Sequence, residues 1–416
     1  MSVAPSTIMN CALSERCSGC DRIDFDRPAL EVDRRRELRS LGLGETATDF
    51  VWISAGRLRD RLEFTMTGSS LGLFEKSSAE VTPPTRDTRR AIVDIDTCPQ
   101  LSTALQAWLT EFRQDLPKLK TKPELRGSVR LRVSPAGLRG VWLDFSNEDV
   151  RDLLEDEAWL TRRLDEGVIV EIGQRRKRVV VSADGPRRHR LVDPVLEPWF
   201  ETPLATGPAG AGRLTPLFAT IGTFTQPGFR AQAALVETVF AKLARLNGTR
   251  SADGLRIAEF GAGIGAFTLP LLSTGALVDV FEFDRLAIEA LEKGVVAAGL
   301  DRKKLNIHAG DFIQSTRAFE VATAHNAAGN AAGNAKAAPD YDVVLVDPPR
   351  PGIGKFLEAI DARASRANWI YVSCFPESFV KDAKALEARG LTLDSITVVE
   401  QFPYTHHFEI IASFRR

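Results

Sequence analysis

The sequence predicts an α/β protein, in which a mostly parallel sheet with crossover helices ends in an antiparallel hairpin and is preceded by an α+β region. Three observations carry this reading. From Leu255 onward, strand-like runs, glycine turns and helical stretches alternate, as parallel strands joined by crossovers require. Val343-Val344-Leu345-Val346 is apolar at every position, the pattern of a strand covered on both faces. Trp369-Ile370-Tyr371-Val372-Ser373 is a second buried run, and it stops at Cys374 just before Phe375-Pro376.

At 416 residues the chain can fill two or three domains. We expect one over residues 1–200 and another over 201–416. No apolar run reaches the length of a membrane span, and the first twenty residues lack the apolar core of a signal peptide, which predicts a cytoplasmic protein with no membrane partner. The formal net charge is -1. Residues 1–210 carry 32 Lys+Arg against 33 Asp+Glu, and the rest 22 against 22, so any nucleic-acid contact has to rest on local clusters.

Of five cysteines, Cys11, Cys17 and Cys20 fall within ten residues, with Cys98 standing alone before Pro99. An odd, clustered set in such a chain argues for metal rather than disulfides. Zinc and iron-sulfur clusters both use close cysteine pairs, and the spacing leaves the two open. From Asp49 to Glu75 the chain alternates like a strand, which would put Arg57, Arg59 and Arg61 on one face, either solvated or tracking phosphates. A helix over 101–118, a hairpin over 128–145 turning at Pro135-Ala136-Gly137 and an acidic helix over 147–165 follow. Gln174-Arg175-Arg176-Lys177-Arg178 and Arg187-Arg188-His189-Arg190 are the best basic clusters for RNA backbone.

In the carboxyl-terminal half, Leu255–Phe260 is a strand, and Gly261-Ala262-Gly263-Ile264-Gly265 turns into a helix, where glycines let backbone approach a ligand. The spacing is not that of a dinucleotide site. Glu282 and Asp284 lie about twenty residues on, at the end of the next strand, where an acid accepts hydrogen bonds from ribose hydroxyls; this suits S-adenosylmethionine better than NAD. A third strand leads to Gly310-Asp311, an acid placed to meet adenine. Residues 315–339 read as a low-complexity surface insert. Asp347-Pro348-Pro349-Arg350 ends the buried Val343 strand, the prolines fixing the aspartate over the crevice at the strand ends. Cys374 reaches the same crevice, although a structural buried cysteine fits that stretch equally well. A helix from Pro376 is capped by Gly390, and Leu391–Val399 pairs with Phe408–Phe414. Glu409, early in that last apolar strand, has the surroundings of a raised-pKa base. Adjacent His406 and His407, read as strand residues on opposite faces, make a poor zinc pair.

These motifs together resemble one family. Cys98-Pro99, Phe224-Thr225-Gln226, the glycine loop, Glu282, Asp347-Pro348-Pro349-Arg350-Pro351-Gly352, Tyr371-Val372-Ser373-Cys374 and Phe402-Pro403 through Glu409 occur in the order found in S-adenosylmethionine-dependent RNA uracil-5 methyltransferases. The chain is most similar to short bacterial enzymes of 23S ribosomal RNA that carry an iron-sulfur cluster and lack a TRAM domain. The resemblance implies a Rossmann-like class I methyltransferase domain and a 4Fe-4S cluster on Cys11, Cys17, Cys20 and Cys98. It further implies S-adenosylmethionine contacts from Gln226, Gly261, Gly263, Glu282 and Asp347, with Cys374 as nucleophile, Glu409 as base, RNA as partner and a monomeric state. Three positions depart from the family pattern: Phe375 replaces asparagine after the nucleophile, Gly228 replaces asparagine after the glutamine, and Glu259 replaces aspartate. Competing readings are an inactive iron-sulfur RNA-binding protein of the same fold, a transfer-RNA uracil-5 enzyme, and an N-methyltransferase.

Overall fold

The computed structural model describes residues 9–44, 46, 48–68, 70–76, 91–115, 126–145, 157–173, 176–182, 188–204, 213–248, 251–310 and 341–416. Asp311, the 315–339 insert, Gln174, Arg175, Arg187 and the start of the expected acidic helix lie outside them.

Two eight-stranded sheets dominate. The first contains β2 (Arg61–Thr67), β3 (Ser70–Phe74), β4 (Ile92–Asp94), β5 (Arg126–Val133), β6 (Arg139–Phe145), β7 (Ile169–Ile172), β8 (Lys177–Val181) and β9 (His189–Val192), in the order 4-3-2-5-6-7-8-9. The expected hairpin is β5–β6, and the helix Thr103–Arg113 packs Leu105, Trp108, Leu109 and Phe112 onto it. β10 (Glu197–Pro203) and β11 (Leu214–Ala219) form a separate ribbon.

The second sheet holds β1 (Thr48–Trp52), β12 (Arg256–Phe260), β13 (Leu277–Glu282), β14 (Leu305–Ala309), β15 (Val343–Val346), β16 (Asn368–Ser373), β17 (Thr392–Glu400) and β18 (Glu409–Arg415), in the order 1-17-18-16-15-12-13-14. β12 to β16 run parallel, and β18 lies antiparallel between β16 and β17. The terminal hairpin is therefore present, and continuous burial of β15 and β16 reflects a core on each face. Strand order reverses at β12, between β13 and β15, so the crevice outside their carboxyl ends is the switch point where such sheets take ligands. No described helix is long and apolar enough to cross a membrane.

Two sequence expectations are corrected. The alternating run from Asp49 divides between sheets: β1 leaves for the second sheet, where it pairs in parallel with β17 and covers that strand's open edge. The helix Arg27–Ser40 and β1, both before the expected boundary at 200, therefore pack with the carboxyl-terminal half. Nor do Arg57, Arg59 and Arg61 share a face. The chain between β1 and β2 is irregular, with Arg57 at φ 56, so a period of two does not apply.

The helix Arg27–Ser40 is capped by Asp26, whose carboxylate accepts from Ala29 N at 2.9 Å. Its inner stripe is Leu30, Arg34 and Leu38. Fully buried Arg34 donates to both oxygens of Glu400 at the end of β17 (2.6 and 3.3 Å) and to the carbonyl of Thr405 (2.6 Å). Removing one partner of such a pair strands the other charge. Arg34→Ala is expected to lower the unfolding free energy by about 3–5 kcal/mol in urea titrations, and a loss below about 1 kcal/mol would contradict the structural role given to the pair.

Candidate active site

Each element ending at the switch point delivers one feature. β12 stops at Phe260, and Gly261 follows at φ 78; a Cβ there would stand 2.5 Å from the carbonyl of Asp347, so only glycine lets the β12 and β15 ends meet. Gly263, at φ 55, donates its N–H to Glu282 at 2.8 Å. The same carboxylate accepts from Phe283 N and Asp284 N, which fixes it at the end of β13. Asp284, the second candidate acid, is spent on capping the helix Arg285–Ala298.

Asp347 is held at the carboxyl end of β15, its N–H bonded to Phe260 O. Burial, reinforced by the charge of Glu282, pushes its carboxyl up to about 7. Glu259, 2% exposed, accepts from Thr268 Oγ1 at 2.8 Å, while its Oε1 has no hydrogen-bond partner among the described residues. Burial, then Asp347 and Glu282, raise it to about 8. Its protonated form thus contributes stability that is complete below the ordinary carboxylate value and is lost as pH rises through about 8.

Cys374 follows β16. Ser373 pairs with Ile410, so one step further along the antiparallel register the thiol meets Glu409. Burial raises the thiol pKa, the charges of Glu409 and Asp347 add to the rise, and Arg350 opposes it. Glu409 is 2% exposed; burial, then Asp347, hold it well above the carboxylate range, against a hydrogen bond from Gln401 Nε2. Asp347, Cys374 and Glu409 are thus brought together. Asp382, on the helix Pro376–Glu387, fixes the loop after Asp347 by accepting from Ile353 N (2.7 Å), Gly354 N (3.1 Å) and Tyr371 OH (2.6 Å). No sequence pattern flagged Asp382 or Gln401, because both act across tertiary contacts. Phe375 has its backbone clamped by the hydroxyls of Ser373 and Ser378, and the residue is 38% exposed.

Gln226 is buried in the loop before the helix Phe229–Asn247. That loop is gripped by the first sheet: Arg61 donates to Thr225 O, Arg132 to Thr220 O and Thr225 Oγ1, and Arg130 to Gly222 O. A Cβ on Gly228 would stand 1.9 Å from Leu58 O, and the capping carboxylate comes instead from Asp60, which accepts from Phe229 N at 3.1 Å. The acceptor at this helix start is thus an acid remote in sequence and not the side chain of residue 228.

Cys11, Cys17, Cys20 and Cys98 line one pocket with Arg59, Gln100 and several apolar side chains. Burial and then the neighbouring thiol of Cys98 push Cys20 up to about 12; burial also raises Cys17 and Cys98. Gly19 N donates to Cys17 Sγ at 3.4 Å. Among the described residues, no three His, Cys, Asp or Glu side chains are gathered as one metal ion requires. His406 and His407 precede β18 rather than lying in it, and their rings stand 3.8 Å apart, so the opposite-face argument about them fails. In the basic clusters, Lys177 pairs with Asp193, and Arg178 with Glu197.

Two outcomes follow. Glu259→Gln should flatten the pH dependence of stability, melting at least about 2 °C above the native chain at pH 9 but not at pH 5. Gly228→Asn should cost more than about 2 kcal/mol in urea titrations, since Leu58 O is backbone and cannot yield cheaply.

The family model described as tRNA (Uracil-5-)-methyltransferase matches residues 218–414. An uncharacterized RNA methyltransferase of Bdellovibrio bacteriovorus is 32% identical over 99% of this chain and 96% of its own length. The 23S rRNA (uracil(1939)-C(5))-methyltransferase of Shewanella halifaxensis is 23% identical over 97% of this chain and 81% of that enzyme. Its counterpart in Chromobacterium violaceum is 28% identical over 55% of this chain and 43% of that enzyme. Among solved structures, the Pyrococcus abyssi tRNA (uracil-54, C5)-methyltransferase in complex with S-adenosyl-L-homocysteine superposes with a TM-score of 0.62 at 19% identity, covering 96% of this chain and 86% of that one, a likeness of fold. The glycine loop, the Asp347 motif and Cys374 all lie inside the matched segment, and the chain belongs to the S-adenosylmethionine-dependent RNA uracil-5 methyltransferase family.

Proposed function

We propose that this chain methylates carbon 5 of a uridine in 23S ribosomal RNA through a covalent adduct on Cys374. The observation that supports the reading is the register of β16 against β18, which brings the Cys374 thiol beside the buried carboxyl of Glu409, with Asp347 at the adjacent strand end. Carbon 5 of uracil is too weak a nucleophile to attack a sulfonium methyl. The Cys374 thiolate adds to carbon 6, the electron pair moves through carbon 5 toward the carbonyl oxygen, and carbon 5 then takes the methyl group. Glu409 accepts the carbon 5 proton, the double bond re-forms, and the thiolate leaves. The uridine has to leave its stack to reach the thiol.

S-adenosylmethionine supplies the methyl group. Gly261 and Gly263 leave backbone open to it, Glu282 receives its ribose hydroxyls, and Gln226 and Asp347 line the remainder. The left-handed glycines and the fixed Glu282 carboxylate are the features that suit this ligand.

The cysteine pocket suits a 4Fe-4S cluster held by Cys11, Cys17, Cys20 and Cys98 better than zinc. Zinc would need four sulfurs at about 2.3 Å from one centre, and no three such side chains are gathered that closely among the described residues; the four thiols that line the pocket are the residues that would hold a cluster. When bound, the cluster ties residues 11–20 to residue 98, so its binding energy acts as folding energy. We assign residues 1–200 to a cluster and RNA-binding region and 201–416 to the methyl-transfer domain, working as a cytoplasmic monomer. Residues 27–52 lend support to the second.

The test is incubation with labelled S-adenosylmethionine and unmodified 23S ribosomal RNA. Native protein is expected to incorporate label, Cys374→Ala at least about a thousandfold less, and Glu409→Gln to accumulate a denaturant-stable protein–RNA adduct. Because Cys374 and Glu409 both act deprotonated and both have raised pKa values, turnover should climb as pH rises above neutral. Label incorporation that survives Cys374→Ala would overturn the mechanism, and preferential labelling of transfer RNA would move the substrate.

A further inference from the structure

Arg59 stands at the boundary between the cysteine pocket and the base-bearing turn. Its backbone is pinned beside Cys98: its N–H donates to Gln100 O at 2.9 Å, and Ser102 N donates to its carbonyl at 2.8 Å. The side chain lines the pocket close enough to Cys98 and Cys20 for its charge to lower both thiols. Its guanidinium carbon lies 5.0 Å from the centre of the Phe402 ring. Yet the guanidinium, with five N–H donors, makes no hydrogen bond among the described residues, and the rest of the pocket lining is largely apolar. The partly buried guanidinium therefore has donors to spare for an anion in the pocket, and the four thiols are the groups that would present one.

Phe402 opens the turn between β17 and β18. Its neighbour Gln401 donates to Glu409, and Gln100, also lining the pocket, donates to Pro403 O at 3.1 Å. We propose that Arg59 is a positioning residue: drawn to the anionic occupant of the cysteine pocket, it seats the Phe402 ring and thereby holds Gln401 where it orients Glu409. Filling of the pocket and readiness of the base are coupled through one side chain. This inference rests on the iron-sulfur reading of the pocket for one half and on the geometry of the turn for the other.

Full-length Arg59→Met, Arg59→Lys and Phe402→Leu are compared with the native chain after anaerobic isolation. Three readouts are taken: iron and sulfide per chain, kcat and KM for methyl transfer, and the amount of denaturant-stable RNA adduct. Arg59→Met is expected to retain at most about a third of the native iron, with kcat down about tenfold, KM within about twofold and adduct accumulating. Arg59→Lys, which keeps the charge without the planar fork, should recover much of the iron. Phe402→Leu should keep its iron yet accumulate adduct, so the turn's part is read even where Arg59→Met fails to fold. Native iron, kcat and adduct level in both Arg59→Met and Phe402→Leu would overturn the proposal. A native chain isolated without iron and sulfide would instead overturn the reading of the pocket, an outcome distinct from failure of the Arg59 link.

Discussion

The turn from Gln401 to Phe408 is the constraint on which the site depends, because it sets where Glu409 begins β18. It is not a turn that closes on its own preferences. Tyr404 sits at φ 66, a region that costs a large aromatic residue energy, yet it is almost fully buried and edge-on to Trp52. The restraint comes from the amino-terminal segment. Arg34 donates to Thr405 O, Arg22 N to Tyr404 O, Gln100 to Pro403 O, and Asp21 accepts from His406 N. Without the amino-terminal segment, the sheet loses β1 and the turn loses these anchors, and with them the geometry of the base. The cysteine-bearing segment is therefore structural for the reaction before it is anything else.

A second seam fixes the loop around Gln226. Arg61 and Arg132 are cross-strand partners on β2 and β5, and with Arg130 they hold the backbone from Thr220 to Thr225. Asp60 completes the seam by bonding to Pro227 O and capping the helix Phe229–Asn247. Of the three arginines that in sequence resemble a phosphate-tracking row, Arg61 is thus consumed in tying the first sheet to the loop that carries Gln226. The donors of Arg61, Arg130 and Arg132 meet carbonyls, which explains how largely enclosed guanidinium groups are tolerated there.

Much of the site was legible because it is locally encoded. Strand β15 and Asp347, strand β16 and Cys374, and the glycine turn after β12 each announce themselves through an apolar run ended by a residue that stops the ladder. What escaped depends on partners remote in sequence. Nothing within residues 48–52 says that β1 belongs beside β17, since an edge strand chooses its sheet by what edge is open. Asp60 carries no mark of its role in the sequence, Gly228 reads as a departure from the family pattern, and Asp284 as a second candidate acid; only the packed structure reveals the two acids as helix caps and the glycine as the space one cap requires. His406 and His407 differ again: they lie in the turn before β18, where the opposite-face rule for strand neighbours does not apply.

The crevice gathers Glu259, Glu282, Asp347 and Glu409 on neighbouring strand ends, and like charges in so dry a place cannot all be ionised together. Burial leaves Asp347 and Glu259 holding protons close to neutral pH. On the proposed reaction this crowding has a direction. A sulfonium donor brings a positive charge that lowers the cost of ionising the acids around it, including the base required later. The thioether product is neutral at sulfur and loses that attraction once the methyl group has moved. An acid-rich, enclosed crevice accordingly favours the charged donor over its spent form; burial is the first cause of the raised Cys374 thiol, and the part that Glu409 and Asp347 add is the part a bound cation offsets.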